Sequence, residues 1–178
     1  MTHVLVAYTD DEPGVLNRVA SLFRRRAFNI HSLTVGSTEK AGVSRMTIVV
    51  DTDEQGAARA QTNLEKLLNV QKVENLSMRP SVVRDLVLLR VSADASVRPA
   101  VIQLAQTFRA AVVDIAPGSL VLECTGSASK IDALLEVMKP YGILEMGRTG
   151  VVAMSRGAES CGAQAPDASP ESLAANFQ

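Results

Sequence analysis

Aromatic residues are only 3% of the 178 residues, and tryptophan is absent. So few rings exclude a base-stacking platform for single-stranded nucleic acid and a carbohydrate-type aromatic site. Cysteine is almost as scarce. Cys124 and Cys161 stand far apart and form neither a CxxC pair nor a disulfide framework, which fits a reducing cytoplasm. Charge of one sign is missing too: 18 basic and 19 acidic residues leave a net charge of -1. That balance gives no general pull toward nucleic acid or anionic lipid. The apolar runs are a few residues long, too short for a transmembrane helix, and the first residues lack the basic-then-apolar pattern of a signal peptide. A cytoplasmic globular protein is the expectation. With 47% hydrophobic residues, a core of useful size can form, and the length predicts one or two domains.

The pattern along the chain repeats. Residues 4–8 read as a buried strand. A polar loop, Thr9 to Gly14, follows. Val15, Leu16, Val19, Leu22 and Phe23 then form one apolar stripe at helical period. Residues 29–37 and 45–50 read as strands. Ala57, Ala60, Leu64, Leu67 and Leu68 mark a second helix, and 70–76 a weaker strand. The order βαββαβ predicts a ferredoxin-like unit, two helices on one face of a four-stranded antiparallel sheet. A second pass has the same order. It has strands at 86–91, 111–116 and 120–125, with a Pro117-Gly118 turn between the last two. Its helical stripes are Val101, Leu104, Ala105, Phe108 and Ile131, Leu134, Leu135, Met138, and a last strand starts at Ile143. The expected fold class is α+β: two ferredoxin-like βαββαβ domains in tandem, 1–78 and 84–157. Residues 79–83 form the linker, and 158–178 a disordered tail rich in Ala, Ser, Gly and Pro.

The chemistry-bearing stretch runs from Asp10 to Ile30. Gly14 stands at a helix start, where unpaired backbone N–H groups and the helix dipole favour an anion. Lacking a Cβ, it lets a ligand approach the backbone. Asp11 can receive an ammonium, and Asn29 can donate and accept. Val15, Leu16 and Ile30 can flank an apolar side chain. The two charges match a free α-amino acid. The same residues also describe an ordinary turn before a helix, with loop acids suited to its dipole. Asp10, Asp11 and Glu12 do not make a metal site, because three adjacent acids rarely converge. His3 and His31 lack partners at zinc-ligand spacing. His3 reads as a strand-end residue, and His31 as facing the sheet or an interface. Cys124 reads as a small buried hydrophobe. Arg24, Arg25 and Arg26 close the first helix in a dipole-matched end. No nucleophile elbow, P-loop or dinucleotide-binding glycine pattern occurs.

The stretch Asp11-Glu12-Pro13-Gly14-Val15-Leu16-Asn17-Arg18-Val19 resembles the ACT domain, a small amino-acid-sensing module. Residues 22–36, from Leu22-Phe23-Arg24 through Asn29-Ile30-His31-Ser32-Leu33 to Gly36, are similar to the regulatory small subunit of acetolactate synthase (acetohydroxyacid synthase). So are residues 44–50 and 148–157. The resemblance implies a non-catalytic chain with no cofactor of its own. Thiamine diphosphate, FAD and Mg would belong to a catalytic subunit. This chain would bind that subunit, raise its activity and confer feedback inhibition by valine, or by leucine or isoleucine. It further implies a homodimer through paired ACT domains, with the effector between them. Gly14, Val15 and Leu16 would take its carboxylate, Asp11 its ammonium, and Asn29, with Ile30 beside it, would make a polar contact. The second domain would then contact the catalytic subunit. The family often has Gly at the position of Ala27, which here would only stiffen the turn. It often has Glu at the position of His31, where an imidazole would either alter the interface or make effector binding vary with pH near neutrality.

Three other readings compete. A free-standing ACT-repeat sensor would bind an amino acid but act on a different partner. A small ferredoxin-like enzyme would need an acid/base pair or nucleophile, and none is visible. An RNA-recognition module would need exposed strand aromatics and a basic face, and the third strand, Arg45 to Val50, has no aromatic.

Overall fold

The computed structural model describes residues 1–157. The predicted tail, with Cys161, lies outside the described residues. The first half contains β1 (Thr2–Asp10), α1 (Val15–Arg25), β2 (Ile30–Ser37), β3 (Val43–Asp51), α2 (Glu54–Glu65) and β4 (Val70–Asn75). Its sheet is antiparallel, in the order β2-β3-β1-β4. The second half contains β5 (Ser81–Ser92), α3 (Arg98–Thr107), β6 (Ala111–Ala116), β7 (Ser119–Gly126), α4 (Ala128–Met138) and β8 (Ile143–Arg148). Its order, β6-β7-β5-β8, is the same topology one repeat later.

Alternation along β1 decides what each sheet face meets. Leu5 and Ala7 point to the helices and join Val19, Leu22, Phe23, Ile48 and Leu64 in the first core. Val4, Val6 and Tyr8 point the other way. In β5, Val87, Leu89 and Val91 meet Val101, Leu122, Ile131 and Met138 in a second core. Cys124 is buried in that core, as a small hydrophobe would be. Burying each large apolar side chain stabilises the fold by about 1.5–3 kcal/mol relative to leaving it exposed. Two members of the expected stripes fall outside: Leu16 is 45% exposed and Leu68 is 93% exposed. α2 ends at Glu65, so Leu68 sits beyond the helix whose period implicated it.

Residues 79–83 are not a free linker. β5 begins at Ser81, and its first four residues pair with a further strand, β9 (Val152–Ser155). This ribbon covers the helix-free face of the first sheet, where Ala153, Val83 and Val151 pack on Val6, Leu76, Val4 and Tyr8. Arg45 reinforces the seam. Its guanidinium lies 5.7 Å above the Tyr8 ring and donates to the Ala153 carbonyl.

Candidate functional site

The Asp11–Leu16 loop is held from both sides. Asp10 accepts Nε2 of Gln71 at 2.8 Å and Nδ2 of Asn69 at 3.3 Å. Glu12 accepts the same Asn69 amide at 3.3 Å, and Arg18 donates to the Asn69 oxygen. On the other side, Asp11 Oδ1 accepts the Ser44 hydroxyl at 3.1 Å, and the Asp11 amide donates to the Gly42 carbonyl at 2.9 Å. Asp10 and Glu12 therefore meet at the Asn69 amide, while Asp11 turns the other way to Ser44. Among the described residues no cluster of His, Cys, Asp and Glu could hold a metal ion. Asn69 is buried and organises the loop, but its sequence position after Leu68 carries no motif. The only available signal was a polar residue next to an apolar stripe.

Gly14 occupies the N-cap of α1 at φ 88°, a left-handed conformation that glycine adopts without Cβ strain. No side chain caps this helix, and its first turn has no acid. The Val15 amide makes only a long 3.4 Å contact with the Glu12 carbonyl. The Leu16 and Asn17 amides have no acceptor among the described residues. A Cβ built on Gly14 would meet nothing within 4 Å, so the space in front of these donors is open. The Val15 side chain lies in the core at 4% exposure, which leaves only its amide for a ligand. Leu16 projects from the surface.

Asn29 and Ile30 are elsewhere. Asn29 is exposed, and Ile30 is half-buried against the first core. Val50 pairs with both Ile30 and His3, whereas Val43 pairs with Asp10. Ile30 therefore lies at the far end of the sheet from the loop, seven strand residues or about 23 Å away. Within one chain Asp11, Gly14, Val15 and Leu16 come together; Asn29 and Ile30 do not join them. His31 is exposed on the edge strand β2. His3 is buried within β1, and neither of its ring nitrogens has a partner.

The two halves match different models of one family. Residues 84–157 match the model for the small subunit of acetolactate synthase. Residues 5–72 match the small-subunit-like ACT domain of acetohydroxyacid synthase. The acetolactate synthase small subunit of Mycolicibacterium smegmatis is 48% identical over 162 residues, which is 91% of this chain and 95% of that one. The chain belongs to the acetolactate synthase small-subunit family. A probable member from Archaeoglobus fulgidus is 45% identical over 157 residues, covering 88% of this chain and 98% of its own. The crystal structure of the small subunit from Thermotoga maritima superposes with a TM-score of 0.83. It is 33% identical, over 88% of this chain and 98% of that one. Membership of a small-subunit family implies a catalytic-subunit partner. No helix of the described residues is long and apolar enough to cross a membrane.

Proposed function

We propose that this chain is the non-catalytic regulatory subunit of acetolactate synthase, raising the activity of its catalytic subunit and conferring inhibition by valine, leucine or isoleucine. The observation that carries the effector half is the open start of α1. Unpaired amides behind Gly14 offer an anion site, and the Asp11 carboxylate beside them suits an ammonium. Asn29 and Ile30 enter through a second copy. β2 is an edge strand. A two-fold axis across that edge brings the start of one β2 to the end of the other, next to the loop. The effector then sits between two ACT domains and touches both, which lets it favour one arrangement of the pair.

The second domain is the contact for the catalytic subunit. Leu88 is exposed on its central strand, on the face away from the helices, as an apolar docking area requires. Thiamine diphosphate, FAD and Mg remain with the catalytic subunit. The protein acts in the cytoplasm. Differential binding of the effector to two states supplies typically about 1–3 kcal/mol of coupling.

The test adds the purified chain to the catalytic subunit from the same source and follows acetolactate formation with and without each branched-chain amino acid. Activation that one of them reverses is the expected result. A folded chain that neither activates nor responds would instead favour an ACT sensor with another partner.

A further inference from the structure

A cleft of about 620 Å3 separates the two domains, with walls from β2 and β3 on one side and from β5, α4 and residues 149–151 on the other. Its floor is apolar, supplied by Val49 and Val151. Asp85 lines it from β5. The Asp85 side chain is 3% exposed. Its Oδ2 takes two bonds from Arg148, from Nη2 at 2.5 Å and from Nε at 2.7 Å. Its Oδ1 is buried without any hydrogen-bond partner. Arg148 in turn donates to Asp132 at 2.8 Å. This triad of two carboxylates and one guanidinium carries a net charge of -1, so it has room for one more cation, and Oδ1 is the acceptor it leaves unused.

The opposite charge is provided for nearby. Ala128, the first residue of α4, lines the same cleft. Ser127 caps this 11-residue helix by accepting the Lys130 amide. The Ala128 and Ser129 amides have no acceptor among the described residues. Two free N–H groups at the positive end of a helix favour a carboxylate.

We infer that the cleft between the domains is a second binding site, for a small α-amino acid with an apolar side chain. Its ammonium meets Asp85 Oδ1, its carboxylate the start of α4, and its side chain Val49 and Val151. The volume lies within the range of about 300–1,000 Å3 usual for small-molecule pockets, which favour domain boundaries. The site is distinct from the Gly14 loop and does not depend on it. Because both domains line it, an occupant ties their relative position to amino-acid supply.

The experiment is titration calorimetry of valine into the full chain and its Gly14→Asp, Ala128→Trp and Asp85→Asn variants, with folding followed by circular dichroism. Ala128 is exposed, so tryptophan there fills the cleft without disturbing a core. The wild type is expected to bind two valines per chain, and Gly14→Asp and Ala128→Trp one each. In the Gly14→Asp background, Asp85→Asn is expected to weaken the remaining site about tenfold or more, and N-acetylvaline, which has no ammonium, to fail there. Loss of all valine binding in Gly14→Asp overturns the cleft and leaves the loop site standing. Residual binding indifferent to Ala128→Trp also overturns it. Binding indifferent to Gly14→Asp but lost in Ala128→Trp upholds the cleft and sinks the loop. No heat from valine, leucine or isoleucine in the wild type overturns both.

Discussion

The two domains share a topology but finish the same loop in opposite ways. In the first, the strand-to-helix connection ends on Gly14 and leaves the amides behind it unpaired. In the second, the corresponding connection closes on itself. Asp94 Oδ1 accepts the Ser96 amide at 2.8 Å, the Ser96 hydroxyl at 2.6 Å and the Val97 amide at 3.2 Å. Arg98 then folds over the loop and donates to the carbonyls of Ala93, Ala116 and Pro117 at 3.1, 2.8 and 2.5 Å. A loop whose donors and acceptors are already matched has little to offer a zwitterion. One repeat is open to a ligand; the other has turned the same groups inward.

The sharpest way to break this contrast is to close the open loop. Gly14→Asp places a carboxylate where the effector's own would lie and forces an L residue to φ 88°. Feedback inhibition should disappear, with the valine needed for half-inhibition rising about a hundredfold or more, since several charge-assisted contacts are lost. Asp94→Asn in the other loop should leave the valine response unchanged in the same assay.

Next come the helix ends that face away from these loops. Both α1 and α3 stop in the same left-handed motif, with paired bonds from Phe28 to Phe23 and Ala27 to Arg24, and from Ala110 to Ala105 and Arg109 to Gln106. Only the first adds an aromatic clasp. The Phe23 and Phe28 rings meet edge to face at 6.0 Å, where the second domain has two alanines. Phe23→Ala should therefore cost about 3–5 kcal/mol in urea unfolding, without a counterpart in the second domain.

Smaller effects are expected where the motifs agree. Ala27 and Arg109 hold φ 56° and 52°, which L residues tolerate poorly. Ala27→Gly and Arg109→Gly should each raise stability by about 0.5–1 kcal/mol, the relief of left-handed strain being partly offset by a freer unfolded chain. Equal gains at both sites would show that the caps are equivalent. Ala27 thus does more than stiffen a turn, because it carries a strain that glycine would not.

The smallest effect is in pH. The Ser96 hydroxyl and the Ser96 and Val97 amides hold the Asp94 carboxyl below its ordinary value near 3.8. A folded-state pKa below the unfolded one adds stability that is complete above the ordinary value and lost as pH falls through the lowered one. Thermal unfolding between pH 5 and about pH 2 should show an acid loss that shrinks in Asp94→Asn. Arg148 lies outside this window. Burial pulls its pKa down, but the hydrogen bonds and charges of Asp85 and Asp132 more than offset that, leaving it above its ordinary value.

Local pattern made much of this legible. The stripe Val15, Val19, Leu22, Phe23 is buried along α1, and Pro117-Gly118 turns between β6 and β7. What escaped was long-range. β9 is four residues with a single buried side chain, Ala153, so it has no period to read. Its existence depends on the first residues of β5, which fall in the stretch 79–83 read as linker. Asn69 and Ser44 entered the loop through contacts 33 and more residues away. The separation of Asn29 from Gly14 follows from strand register, which spacing along the chain does not encode.

One strand belongs to both domains. β5 begins in the ribbon against the first sheet and continues without a break as a central strand of the second. A connection of this kind is a splint and not a hinge. Twelve residues extend about 40 Å, so a tilt of about 5° at the ribbon carries the far end roughly 3 Å sideways. Repacking around Ala153 would thus reach the opposite end of the molecule as a displacement, with no loop between to absorb it.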